Sequence, residues 1–361
     1  MNTVLVTGGA GFIGSNFVRH LLLAEPQVQI VNLDLLTYAG HLENLDELPD
    51  PSRHRFVHGD ICDAELVHEL LRQHAIDTIV HFAAESHVDR SIQGPMPFVH
   101  TNILGTAVLL EAARQTWLVD KRIPEGPLRF HHISTDEVFG TLAPDDTPFS
   151  ETTPYSPNSP YAASKAASDH LVRSYARTFG LPITITNCSN NYGPYQYPEK
   201  LIPLMILNAL DGQPLPVYGD GGQIRDWLYV EDHCRAIHAV LDHGRAGETY
   251  NIGGGPQPSN LEVVRSLCEI LDELRPGSPH QPHASLIRFV ADRPGHDRRY
   301  AMDMRKIDSE LGWRPSETLP SGLLKTVQWH LSHPEWVAAM REKPAYREWR
   351  AVNYGTRGRQ P

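Results

Sequence analysis

A doubly wound α/β fold, a parallel sheet covered by helices with a smaller C-terminal α/β lobe, is what this sequence predicts, on three observations. The first half alternates short β-branched runs with longer amphipathic segments, the pattern of parallel strands joined by crossover helices. A glycine-rich turn follows the first of these runs and opens a helical pattern. At 361 residues, 40% hydrophobic and 21% charged, the chain is long enough for one large or two fused globular domains and too apolar for a disordered one.

The predicted strands cover residues 3–7, 28–33, 55–59, 78–83, 128–134 and 183–187. Between them, residues 102–117 and 162–179 carry apolar side chains at helical spacing. Two long segments, 141–160 and 190–198, are rich in Pro, Ser, Tyr and Asn, and loops of such length in a compact protein tend to carry function. Beyond about residue 188 the pattern loosens into helical stretches at 199–210, 231–242, 261–274 and 323–332, separated by short strands and Pro/Gly punctuation. The expected division is a cofactor-binding domain over 1–188 and a substrate-binding lobe over 189–361, some of whose strands can return to the first sheet. The polar end, 354–361, is expected to fray.

Thirty-two Lys+Arg against 43 Asp+Glu give a net charge of −11, which argues against a protein that tracks a nucleic-acid backbone. Any anionic ligand must be gripped locally. The four cysteines, Cys62, Cys188, Cys234 and Cys268, form no C-x-x-C pair, so no zinc ribbon or disulfide framework is expected and a reducing cytoplasm fits. No apolar run approaches a membrane span or a signal peptide, so no membrane partner is expected. The 20 histidines show no metal-ligand spacing, and no metal is expected. His131 and His132 are adjacent in a predicted strand, face opposite ways, and read as ordinary strand residues.

Thr7-Gly8-Gly9-Ala10-Gly11-Phe12-Ile13-Gly14 lies between the first strand and the first helix. Gly9-x-Gly11-x-x-Gly14 fits a dinucleotide fingerprint, because glycine allows the tight turn, the approach of backbone to pyrophosphate and the packing of helix on sheet. The helix N-terminus then attracts the phosphates. Asp34 follows the second strand, 20 residues after Gly14, where a carboxylate would bond the ribose hydroxyls and disfavour a 2′-phosphate, so NAD rather than NADP is the expected cofactor of a Rossmann-type domain. Asp60-Ile61 either contacts adenine or belongs to a helix cap near Asp63, with little to separate the two.

Tyr161 and Lys165 stand four apart at the start of a helical segment, on one face, so the ammonium can sit beside the phenol and favour its ionised form. Such a phenolate can take a hydroxyl proton at neutral pH. Thr135, at the end of the fifth strand, precedes Asp136 and Glu137. Two consecutive carboxylates after a buried strand are a poor choice for packing, and they reach one ligand only where the chain has left the strand. Close carboxyls in a dry site separate into an acid and a base, the pair that elimination of water from adjacent carbons requires.

These segments together resemble the extended short-chain dehydrogenase/reductase superfamily. Within it, residues 131–140 (HHISTDEVFG) resemble the dTDP-glucose 4,6-dehydratase branch, as do residues 83–91, 187–194, 225–232 and 292–300. The resemblance covers residues 1–354; Phe139, where the branch more often has Tyr, and a short loop before Tyr155 depart from it. It implies NAD held by Gly8, Gly11, Phe12, Ile13, Gly14, Asp34, Thr37, Asp60, Ile61, Ala83, Ala84, Ser86, Thr101, Tyr161, Lys165 and Asn191. It implies a nucleotide-sugar, dTDP-glucose, met by Ser86, Thr135, Asn190, Glu199, Lys200, Leu201, Pro216, Tyr218, Arg225, Asn260, Asp292, Arg293, His296 and Tyr354. Arg225, Arg293 and Lys200 are the groups available to grip the pyrophosphate. By the same resemblance Tyr161 deprotonates the sugar C4 hydroxyl, Glu137 takes the C5 proton and Asp136 protonates the departing C6 hydroxyl, leaving a 4-keto-6-deoxy sugar, and the chain pairs as a homodimer through 102–117 and 162–179. Another nucleotide-sugar 4,6-dehydratase, a 4-epimerase or a decarboxylating dehydrogenase on the same scaffold, and a non-enzymatic NAD-binding scaffold, are the alternatives; an epimerase has no use for Asp136-Glu137, and non-enzymatic relatives commonly lose the Tyr or Lys that stand here as Tyr161 and Lys165.

Overall fold

The structure is a computed structural model that describes residues 1–122, 127–292 and 296–354, with side chains as far as residue 351. Its centre is a seven-stranded parallel sheet in the order β10-β6-β5-β4-β1-β2-β3. The strands are β1 (Thr3–Thr7), β2 (Gln29–Asp34), β3 (His54–His58), β4 (Thr78–His81), β5 (Arg129–Thr135), β6 (Ile183–Cys188) and β10 (Thr249–Ile252). Each lies within a residue or two of its predicted place where one was predicted, except that β4 ends at His81 and residues 82–87 run as loop toward the cleft. β10 is the strand from the later half of the chain that returns to the sheet, pairing with β6.

Alternation along the strands explains the layers. Leu5, Val31, Leu33, Ile79, Phe130, Ile183 and Ile185 face α2 (Ala64–Gln73), α5 (Thr106–Ala113) and α6 (Pro160–Phe179). Val4, Val6, Ile30, Val80 and Ile133 face α1 (Phe12–Ala24) and α8 (Val230–His243). Strands covered on both faces are apolar at successive positions, which is how β1 and β4 read. Short helices α3 (Val88–Gln93) and α4 (Met96–Phe98) precede α5, which is flanked by π-helical turns over Val99–Gly105 and Arg114–Val119. The helix predicted over 102–117 is therefore three differently wound pieces, and its apolar spacing drifts where the winding changes.

The second lobe is built from two-stranded pairs, β7 (Asn190–Tyr192) with β9 (Trp227–Tyr229) and β8 (Leu215–Tyr218) with β11 (Ile287–Val290). They pack with α7 (Leu201–Leu210), α9 (Asn260–Leu274) and α11 (Leu319–Ser332) around Ile202, Ile206, Trp227, Val264 and Leu323. α11 starts four residues before its predicted place because Thr318 and Ser321 form a reciprocal cap. α10 (Arg305–Leu311), α12 (Pro334–Glu342) and α13 (Pro344–Tyr354) complete the chain. The last two return to the first domain, where Trp336 Nε1 donates to Asn44 Oδ1 at 2.8 Å and Lys343 Nζ lies 2.6 Å from Glu43.

Candidate active site

Strand order reverses between β1 and β4, and in doubly wound sheets a crevice opens at the carboxyl ends of the strands there. One cleft occupies this place. It is bordered by every residue expected to hold the dinucleotide, from Gly8 through Asn191, together with Thr135, Asp136, Glu137, Asn190, Glu199 and Lys200.

Gly8 has φ +73, and a Cβ there would stand 2.6 Å from the Ala83 nitrogen. A Cβ on Gly14 would stand 2.2 Å from the Gly8 carbonyl oxygen, so both positions require glycine for the turn to lie close under the cleft. α1 begins after Gly11 with no side-chain cap, leaving first-turn N–H groups for an anion. Asp34 accepts from Ala10 N (2.9 Å) and Leu36 N (2.8 Å), and burial, against these bonds, raises its carboxyl above the usual range. The cradle therefore fits a dinucleotide: backbone donors for the phosphates and a fixed carboxylate for ribose hydroxyls. Asp60 also faces the cleft; the helix cap is Asp63, which accepts from Leu66 N at 3.1 Å. Gly14→Ala is expected to abolish dinucleotide binding in a fluorescence titration of the purified protein, since the clash is with backbone and cannot be relieved by a rotamer change.

The chain leaves β5 at Thr135 and turns through a single 3₁₀ helix, Asp136–Phe139, ended by Gly140 at φ +89. Thr135 caps it, accepting from Glu137 N at 3.3 Å while donating to Asp136 Oδ1 at 3.2 Å. The turn brings both acids to the cleft, as two consecutive residues in a straight strand could not be. Asp136 is 2% exposed, and its Oδ2 has no hydrogen-bond partner among the described residues. Burial, reinforced by Glu137 and Asp226, pushes its carboxyl well above the usual range, against Arg225 and Thr135, so it is held as the acid.

α6 begins at Pro160, two residues earlier than predicted, because Ser159 caps it by accepting from Ala162 N at 3.1 Å. Tyr161 thus lies in the first turn, hydrogen-bonded to Thr135. The expectation that its phenol is lowered is corrected for the protein alone: burial, with Glu137 and Cys188 adding to it, raises it well above the usual value. Lys165 is pushed down to about 8 by burial, with Asp169 opposing, and donates from Nζ to the Ile133 carbonyl at 2.7 Å.

Behind this row lies a network that sequence reading missed. His132 Nε2 is 3.2 Å from Asp169 Oδ1 and 3.5 Å from Lys165 Nζ, so His132 is part of the site's support and not an ordinary strand residue. Asp169 Oδ2 accepts from Ser134 Oγ (2.8 Å) and Tyr155 OH (2.7 Å). Asp169 follows Lys165 by four on α6, a spacing that marks one helix face and was the available signal. Asn102 ties the 82–87 loop to α6 through Glu85 and Ser164 (2.8 Å to Oγ). Asp169→Asn is expected to lower the pH at which Lys165 loses its charge, moving the alkaline limb of the kcat profile to lower pH, and to cost roughly 1–3 kcal/mol of stability. An unmoved limb would leave Asp169 a purely structural role.

Glu199, 5% exposed, has neither carboxyl oxygen hydrogen-bonded and is pushed up to about 7 by burial, against Lys200 and Arg90. Ser86 accepts from Lys200 Nζ at 3.5 Å through its carbonyl. The remaining predicted substrate contacts form a second group. Tyr218 meets His296 edge to face, His296 Nδ1 lies 2.6 Å from Asp292 Oδ1, and Gln223 Nε2 donates to Asp292 Oδ2 at 2.8 Å. Asn260 starts α9 beside Gln223, Pro216 lies in β8, and Leu201 starts α7. None of these borders the cofactor cleft, and neither does Arg225, which donates to the carbonyls of Ile224 (2.8 Å) and Asp297 (2.9 Å) and stacks on Tyr300. Arg293 and the Tyr354 side chain lie outside the described residues.

A dinucleotide cradle, a Tyr-x-x-x-Lys helix and a strand-end carboxyl pair in one cleft define a short-chain dehydrogenase/reductase equipped for elimination. The family described as GDP-mannose 4,6 dehydratase matches residues 5–326. The dTDP-glucose 4,6-dehydratase of Salmonella typhimurium is 55% identical over 97% of this chain and 98% of its own. That of Streptomyces venezuelae, solved with NAD and TYD bound, superposes with a TM-score of 0.84 at 51% identity, over 94% of this chain and 99% of its own. A UDP-glucose 4-epimerase from Thermotoga maritima superposes at 0.79 and 30% identity, over 92% of this chain and 99% of its own. The chain belongs to the nucleotide-sugar 4,6-dehydratase family, in its dTDP-glucose branch.

Proposed function

We propose that this protein converts dTDP-glucose to dTDP-4-keto-6-deoxyglucose and water, with NAD held in the glycine cradle. The observation that carries this reading is the turn at Asp136–Phe139, which sets an uncharged carboxyl and a second carboxyl beside Tyr161. An epimerase needs only chemistry at C4 and would have no use for that pair. Bound NAD supplies a two-electron carrier that oxidises C4 and returns the same hydrogen to C6.

The chain's own groups move the protons. Tyr161, one helical turn from Lys165 on α6, takes the C4 hydroxyl proton. Oxidation at C4 acidifies the C5 proton, which Glu137 removes. Asp136, kept protonated by burial, gives its proton to the departing C6 hydroxyl, and Glu137 returns a proton to C5. The proton gained at Tyr161 balances the one lost at Asp136, and Thr135, hydrogen-bonded to both, is placed to pass it back. Glu199, with two unbonded buried oxygens at the cleft, is suited to sugar hydroxyls, while Lys200 and the group around Tyr218, Arg225 and His296 are suited to the nucleotide end.

Exposed Ile92, Met96, Val99 and Leu104, on and beside the helices before α5, favour a homodimer formed through that face. Four unpaired cysteines accord with the cytoplasm, and among the described residues no helix is long and apolar enough to cross a membrane. The test of the reaction is conversion of dTDP-glucose deuterated at C4. Product carrying that deuterium at C6 is expected; deuterium lost to water or to free reduced cofactor would overturn the internal transfer.

A further inference from the structure

On the sheet face away from α5 and α6, α1 packs against α8, and the C-terminal ends of these two helices bring together Glu25, His238 and Asp242. Glu25 ends α1, while His238 and Asp242 are four apart on α8 and share one face. His238 Nε2 lies 3.2 Å from Glu25 Oε1 and 3.3 Å from Asp242 Oδ2, and the three ligand atoms are all within 4.8 Å of one another. Although buried and close to both carboxylates, Nε2 makes a hydrogen bond to neither. A ring N–H engaged in an ion pair points at its acceptor; a nitrogen that is near two oxygens and aligned with neither is placed as a ligand beside them.

The separations of His238 Nε2 from the two carboxylates agree with that reading. Donor atoms at about 2.0–2.1 Å from one ion, in tetrahedral arrangement, stand roughly 3.3–3.4 Å apart. The other ring nitrogen, Nδ1, is 3.1 Å from His20 Nε2, the outer contact that fixes the orientation of a metal-bound imidazole.

We propose that Glu25, His238 and Asp242 bind one divalent cation of the zinc class, with water as a fourth ligand and His20 orienting His238. One imidazole with two carboxylates neutralises a dication, and the nitrogen ligand disfavours calcium and magnesium, which prefer oxygen alone. The ion would clamp the far end of the helix whose N-terminus forms the dinucleotide cradle, giving a structural site separate from the chemistry.

The test is a calorimetric titration of the metal-stripped full-length protein with zinc chloride. One ion per chain is expected, with a rise in melting temperature. His238→Ala and Asp242→Asn should each abolish that binding, and His20→Ala should weaken it by about 10–100-fold. All three should keep normal dehydratase turnover, which checks that they fold. A second cluster, Asp60, Cys62 and His100, has Asp60 at the cofactor cleft, so Cys62→Ser is the control and should leave the titration unchanged. No stoichiometric binding, or binding that survives both His238→Ala and Asp242→Asn, would overturn the proposal and leave the cluster as a histidine ion-paired to two carboxylates.

Discussion

Replacing Glu137 by Gln is expected to leave C4 oxidation intact and to stop elimination, lowering kcat by about 10²–10⁴-fold, the contribution of a positioned general base. The amide keeps the shape of the side chain but cannot accept the C5 proton. Glu137 lies at the cleft on the 3₁₀ turn, and its backbone N–H holds Thr135, so the turn that places Asp136 survives the change. Rapid-quench analysis should find the 4-keto hexose with its C6 hydroxyl still present, and exchange of the C5 hydrogen with deuterated water should stop. Normal turnover by this variant would place the base elsewhere.

Asp136→Asn should lower turnover by a similar factor while stabilising the fold. The sign follows from burial. In the native protein burial, with Glu137 and Asp226, holds the Asp136 carboxyl well above its ordinary value, whereas in the unfolded chain it ionises near ~3.9. The stability associated with the neutral acid is fully present below the unfolded value and is lost as pH rises through the folded one. Between the two, each pH unit costs the wild type about 1.4 kcal/mol relative to a side chain that does not titrate. Thermal melts of both proteins at pH 5 and pH 7 should therefore show the asparagine variant gaining with pH. A difference that does not change with pH would mean that Asp136 is ionised in the folded state and unsuited to act as the acid. The same burial that costs stability is what supplies a protonated carboxyl at neutral pH, so site and scaffold are in opposition at this residue.

Much of the site was legible because local rules place it. The glycine fingerprint, the acid 20 residues on, the Tyr-x-x-x-Lys pair and the consecutive acids each obey a spacing set by one turn, one strand or one helix. The support behind them was not. His132 read as an ordinary strand residue, yet the pairing of β5 in the sheet and the docking of α6 set it against Asp169 and Lys165. The winding of residues 99–119 was likewise hidden, since a π-turn shifts the apolar period that a sequence reading depends on. So was the His238 cluster, because two of its four members lie on a helix more than two hundred residues from the others.

By itself the sequence determined the fold class, the dinucleotide cradle and the titratable groups that meet in the cleft, because each is written in periodicities of a few residues. Only the tertiary structure decided which of those groups is charged. The proton on Asp136, the lowered Lys165 and the raised Tyr161 follow from burial and from neighbours brought in by other elements, and desolvation has no local signature.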